Sequence, residues 1–171
     1  MVRLLALLIL LLAVTVIGAA EAQQTQTPAP AQAPARAPDY GTPVNLEQAK
    51  KILVAAEAEA RKNNWPVAIA VVDTHGFLIA FQRLDNTQTG SINVAVEKAR
   101  TAAMFKRPSK AFEDGIAGGR MAILGLQGAT PIEGGIPLMQ DGKIIGAIGV
   151  SGVTSAQDAQ VAKAGAETVG R

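Results

Sequence analysis

The chain has 171 residues, a formal net charge of +2 and no cysteine. Lacking cysteine, it has no disulfide, thiolate nucleophile, zinc–thiolate site, iron–sulfur cluster or lipoprotein anchor. The small charge, the scattered lysines and arginines and the few aromatics form no footprint for nucleic acid.

Residues 1–22 read as a secretory signal. Arg3 gives the positive start, Leu4 to Ile17 the apolar stretch and Ala20-Glu21-Ala22 an A-x-A cleavage site. The apolar run of about 14 residues is short for a bilayer span, which favours cleavage over an uncleaved anchor. Cleavage leaves Gln23 as the first residue of a periplasmic or secreted protein with no membrane span. Residues 23–43 are rich in proline, alanine and glutamine and hold too little apolar surface to fold. They read as a disordered, extended linker with a reach of roughly 60 Å. Residues 44–171, roughly 128 of them, suit one domain with one core.

Asn45-Leu46-Glu47-Gln48 is a capping box opening a helix, with Leu46, Ala49, Leu53, Ala56 and Ala60 at helical spacing. Asn63-Asn64 ends it, and Trp65-Pro66 leads into extended chain. Val67 to Asp73 and Phe77 to Leu84 are strands joined by Thr74-His75-Gly76. Thr89 or Ser91 caps a helix to about Phe105, whose face of Ala95, Ala99, Ala102 and Ala103 lets it lie close to a sheet. Pro108 ends that helix and Ser109 caps a short successor to about Ala117. Met121 to Leu126 is apolar and ambiguous between a helical turn and buried coil. Pro131 to Met139 carries one or two short strands interrupted by Gly134-Gly135.

Asp141-Gly142 is a two-residue turn into the strand Lys143 to Val150, apolar on both faces and therefore central. Gly146 and Gly149 bare that strand where another backbone or a ligand comes close. Ser155-Ala156-Gln157-Asp158 is read as a capping box for a final helix to about Val169. Strands arriving as consecutive hairpins among helices predict an antiparallel α+β sheet with helices packed on it.

Several stretches carry a resemblance: VVDTHGFLIAFQRLD, the S-x-x-x-A-x-x-K-A-x-T-A-x-x-F run from Ser91 to Phe105, GGIPL, GKIIGAIGVSG and QDAQVAKAG. Together, over residues 45–169, they resemble the GlcG/HbpS-like family, which includes haem-binding extracellular proteins and the carboxy-terminal domain of PduO-type corrinoid adenosyltransferases. The resemblance implies a profilin-like or PAS-like five-stranded antiparallel sheet flanked by helices, assembly as a homo-oligomer, and haem as the ligand. In this sequence Leu84 and Asn86 stand where relatives often read R-M-D-G, in a loop that borders a possible pocket.

His75 is the only histidine, a candidate axial haem ligand and the candidate metal ligand; the plain alternative is a solvent-facing turn residue. Thr101 lies in a segment that resembles the family's haem-contacting helix, or else bonds back to its own helix. Met104 and Met121 offer thioethers, or fill core. Lys98, Arg100, Lys106 and Arg107 are candidate partners for propionates or another dicarboxylate, or a solvated helix end. Gly134 and Gly135 offer backbone amides to an anion, or bend the chain. No serine triad, P-loop or dinucleotide fingerprint is present. The expectation is an exported, oligomeric haem-binding protein. A small-molecule enzyme such as a haem-degrading protein, or a non-catalytic extracytoplasmic sensor or adaptor, are the rival readings.

Overall fold

The computed structural model describes residues 36–169. The leader and the linker up to residue 35 lie outside them. Helix α1 (Leu46–Lys62) opens the domain on the expected capping box: Asn45 Oδ1 accepts from the Gln48 amide, and the Gln48 side chain reaches back to the Asn45 amide. Strands β1 (Ala68–Val72) and β2 (Leu78–Arg83) form the first hairpin. Helices α2 (Ser91–Met104) and α3 (Lys110–Ala117) follow, then a 3-10 turn at Met121–Gly125. Strands β3 (Gly135–Gln140) and β4 (Lys143–Ser151) form the second hairpin, and α4 (Ser155–Ala166) closes the chain. At the second turn both Asp141 (φ 51°) and Gly142 (φ 72°) take the positive φ that matches the twist of the flanking strands.

The sheet has four strands in the order β2-β1-β4-β3, all antiparallel, rather than the five that the resemblance implied. Ahead of the point where β1 begins to pair, residues 39–44 run beside the start of β4. The Ile144 amide donates to Asp39 O, and the Gly41 and Val44 amides donate to Ile144 O and Ile145 O. Tyr40 and Ile144 make a single parallel bridge, so this segment, read from composition as linker, is paired but too short to count as a strand.

β1 and β4 hold the centre and are buried along nearly their whole length. Alternation sorts their side chains into two unlike layers. Ile69, Val71, Ile148 and Val150 face α1 and α4, meeting Ile52, Leu53, Ala56 and Val161. Ala68, Ala70, Val72 and Ala147 face α2, meeting Ala95, Ala99, Ala102 and Ala103. That second layer is thin. A Cβ built on Gly149 would collide with Ala95 O and the Ala99 amide, and one on Gly135 would collide with Lys98 O. The glycines therefore admit the helix backbone itself against the strands.

Three expected caps are not made as read. Neither Thr89 nor Ser91 caps α2, where Gly90 holds the N-cap without a side-chain bond. Ser91 is instead buried and bonded to Ser151. The Ser109 hydroxyl, at the start of α3, donates to Ile132 O and accepts from the Gly135 amide. α4 is boxed by Thr154 with Gln157, one position earlier than the sequence suggested. Among the described residues no helix is long and apolar enough to cross a membrane.

Candidate functional site

The fold distributes the candidate residues over two places. The first is a surface where the β1–β2 turn rests on the C-terminal end of α2. The turn is held by Asp73, whose carboxylate accepts from the backbone amides of His75 and Phe77 at 2.8 and 2.9 Å. Gly76, at φ 84°, carries the chain over the helix: a Cβ there would stand 3.2 Å from both Met104 Sδ and Arg100 Cγ. Arg100 Nε donates to Gly76 O at 3.0 Å, and its Nη1 pairs with Glu97 at 2.6 Å. His75 is exposed, with Nδ1 3.2 Å from Thr74 Oγ1.

Around it, large apolar groups face solvent: Phe77 is 67 %, Met104 50 % and Leu78 47 % exposed. Leu78 pairs with Val72 and so stands on the same sheet face as α2. Tyr40 closes the helix end. Its hydroxyl donates to Ala103 O at 2.9 Å and lies 3.2 Å from Met104 O, two carbonyls of the last helical turn. Burial pushes its phenol up from the ordinary value, and Lys106 Nζ lies 4.1 Å from its ring centroid. Arg107 stacks instead over Phe112, apart from this group.

The second place is interior. Lys98, read as a partner for a propionate or else as part of a solvated helix end, is 1 % exposed. Its ammonium donates to Asp158 Oδ2 at 2.9 Å and to Val150 O at 3.0 Å, tying α2 to the start of α4 and the end of β4. The reason is spacing: Lys98 lies three residues after Ala95 and four before Ala102, hence on the buried face. Asp158 is 2 % exposed, and its other oxygen accepts from the Val153 amide at 3.2 Å. Burial pushes the Asp158 carboxyl up, opposed by the Lys98 ammonium and the Val153 and Gly152 amides.

Gly134 and Gly135 pack here: the Gly135 amide, read as open to an anion, donates to Ser109 Oγ at 2.8 Å, and a Cβ on Gly134 would stand 2.9 Å from Lys98 Nζ. Thr101 is fully buried between the two places. Its hydroxyl donates to Glu97 O, one turn back, and accepts from the Thr130 amide, both at 2.8 Å.

Of the six candidates, then, the turn at Gly76 sets His75 and Met104 on one surface, Lys98, Gly134 and Gly135 come together inside, and Thr101 ties α2 to the loop at Thr130. Asp158 was read only as the last residue of a capping box. The signal for its real role was the lysine stranded among alanines, which demands a buried anion. The loop carrying Leu84, Asp85 and Asn86 does border a cavity, of about 280 Å³, shared with Arg61, Asn64 and Trp65. Among the described residues no three His, Asp or Glu side chains gather to hold a metal ion.

Comparison with known proteins agrees with this architecture. The family described as "Haem degrading protein HbpS-like" matches residues 44–167. GlcG of Escherichia coli strain K12 is 46 % identical over 108 residues, which cover 63 % of this chain and 81 % of that protein. A crystal structure of a double mutant of Streptomyces reticuli HbpS superposes with a TM-score of 0.71 at 30 % identity, covering 84 % of this chain and 98 % of that one. A crystal structure of a PduOC:heme complex superposes with a TM-score of 0.69 at 26 % identity, covering 75 % of this chain and 96 % of that one. Matched across nearly all of its described residues, in sequence and in fold, the chain belongs to the HbpS-like family.

Proposed function

We propose that the protein is an exported, oligomeric haem-binding protein whose ligand lies where the β1–β2 turn meets the end of α2. One observation carries the reading: the fold sets the chain's only imidazole on the same surface as a half-exposed thioether and a fixed guanidinium. The relative solved as a haem complex supports haem as the ligand class.

The residues fit that group. Imidazole and thioether are both axial ligands of haem iron. In the tautomer whose Nδ1–H donates to Thr74 Oγ1, His75 Nε2 keeps the lone pair that iron takes. A single protein imidazole suffices only for a metal that brings most of its own donors, as a porphyrin does. Phe77 and Leu78 offer exposed apolar area to the macrocycle, and Arg100 and Lys106 offer charge to its propionates. Bound haem would supply a redox-active iron; the chain's part is to ligate it, shield it and neutralise its carboxylates.

This surface is open, so a second copy is what would cover the far face of the ring. Met121, Leu124, Leu126 and Ile132, all exposed between α3 and β3, support further burial against other copies. Export rests on the leader-like residues 1–22.

The test is a hemin titration of the chain from Gln23 onward. We expect a saturable Soret shift at about 10 µM hemin or below, a loss of at least tenfold in affinity in His75→Ala, and altered ligand-field bands in Met104→Leu. Sedimentation velocity on the same samples reads the assembly. No saturable shift, or spectra unchanged in both variants, would remove the reading.

A further inference from the structure

A second cavity, of about 350 Å³, opens between the N-terminal ends of α2 and α4. The buried Lys98–Asp158 pair forms its floor, and Val94, Ile132 and Val153 form apolar walls. Ser91 and Ser151 complete the lining. Its size falls within the range of small-ligand sites, and its make-up of apolar walls with a few convergent polar groups is theirs as well.

The polar inventory of this cavity is lopsided. The Lys98 ammonium has three N–H donors, of which Asp158 and Val150 O take two. Ser151 Oγ donates to Ser91 Oγ at 3.2 Å, and Gln88 Nε2 also donates to Ser91 Oγ, at 2.9 Å. The two hydroxyls therefore hold two protons and use one between them, whichever way that bond runs. Among the described residues one ammonium proton and one hydroxyl proton find no acceptor, on side chains no more than 5 % exposed. On the other side of the ledger, both Asp158 oxygens are already occupied. The ion pair is neutral as a unit, while the starts of α2 and α4 add positive potential. What fits is a molecule rich in acceptors, negatively charged, and carrying a short apolar part.

We propose that this cavity binds a small carboxylate of a few carbons, its carboxylate taking the free Lys98 and serine protons and its alkyl part resting on Val94, Ile132 and Val153. The site is separate from the turn surface and independent of whether haem binds there.

The experiment is a titration of the purified chain with sodium acetate, lactate, pyruvate and butyrate against sodium chloride at equal ionic strength, read by calorimetry and by melting temperature. At least one carboxylate should bind saturably below about 10 mM and raise the melting temperature, as a ligand of the folded state must. Val94→Phe fills the cavity from its wall while keeping the ion pair, and should weaken that binding by roughly tenfold or more. Ser151→Ala removes only a hydroxyl and should weaken it by about threefold, which keeps the test sound if the larger side chain disturbs the fold.

No saturable binding of any of the four, or equal binding in both variants, would overturn the proposal. Hemin titration of Val94→Phe in parallel should match the wild type. A failure there bears on the turn surface, and a failure with carboxylates bears on this cavity.

Discussion

Lys98 is the residue at which helix, strand and helix are joined. Its charge is tolerated because Asp158 answers it 2.9 Å away, in a place where both groups are almost wholly buried. Replacing Lys98 with Met would leave a carboxylate buried alone and should cost about 3–5 kcal/mol, measured as a lower urea midpoint. Asp158 also sets a pH dependence. Its folded-state affinity for a proton is raised, first by burial, so the folded form holds that proton more tightly than the unfolded chain does. The stability tied to this group is complete below the ordinary carboxylate range and is lost as pH rises through the elevated value. Unfolding free energies measured across the acid range should show this fall in the wild type and lack it in Asp158→Asn. At this scale the sequence was half legible. The spacing of Lys98 from Ala95 and Ala102 carried the sign that it faces inward, though it was read as a propionate partner or a solvated helix end, and nothing local named a partner 60 residues away.

Among elements, the contact of α2 with β4 depends on what the strand lacks. The space for a side chain at Gly149 is filled by the Ala95 carbonyl and the Ala99 amide. Gly149→Ala must lift the helix or bend the strand, and should destabilise by about 1–3 kcal/mol with little change in the urea dependence. The match of an alanine-faced helix to a glycine-bared strand was readable in the sequence, since the alanines recur at helical spacing and the glycines interrupt an otherwise apolar strand. The Asn45 box and the Asp141-Gly142 turn were readable because their partners lie within three residues. The hydroxyls of Ser91 and Ser109 were misread as caps for the opposite reason. Their partners, Ser151 and the 132–135 segment, are 60 and 23–26 residues distant, and a buried polar group takes whatever partner the tertiary fold brings.

For the whole molecule, hairpin order predicted the antiparallel α+β plan, and the four-strand sheet keeps it with one strand fewer than the resemblance implied. The placing of the His75 turn over Met104 was not readable, because it arises only when the first hairpin folds over the far end of α2. Nor was the docking of residues 39–44, whose composition says spacer while Ile144 and Ile145 offer them backbone partners.

That docked segment carries a built-in optical probe. The chain has one tyrosine and one tryptophan, and they stand on separate structures. Tyr40 rides on the segment through few bonds and stays 41 % exposed, whereas Trp65 packs against the main aliphatic core. Segments with few buried contacts open before the core does. In rising urea, tyrosine absorbance should therefore change ahead of tryptophan emission, so that release of the entering segment and collapse of the domain are seen as two events in one unlabelled sample. Coincident midpoints would mean that the segment melts only with the domain.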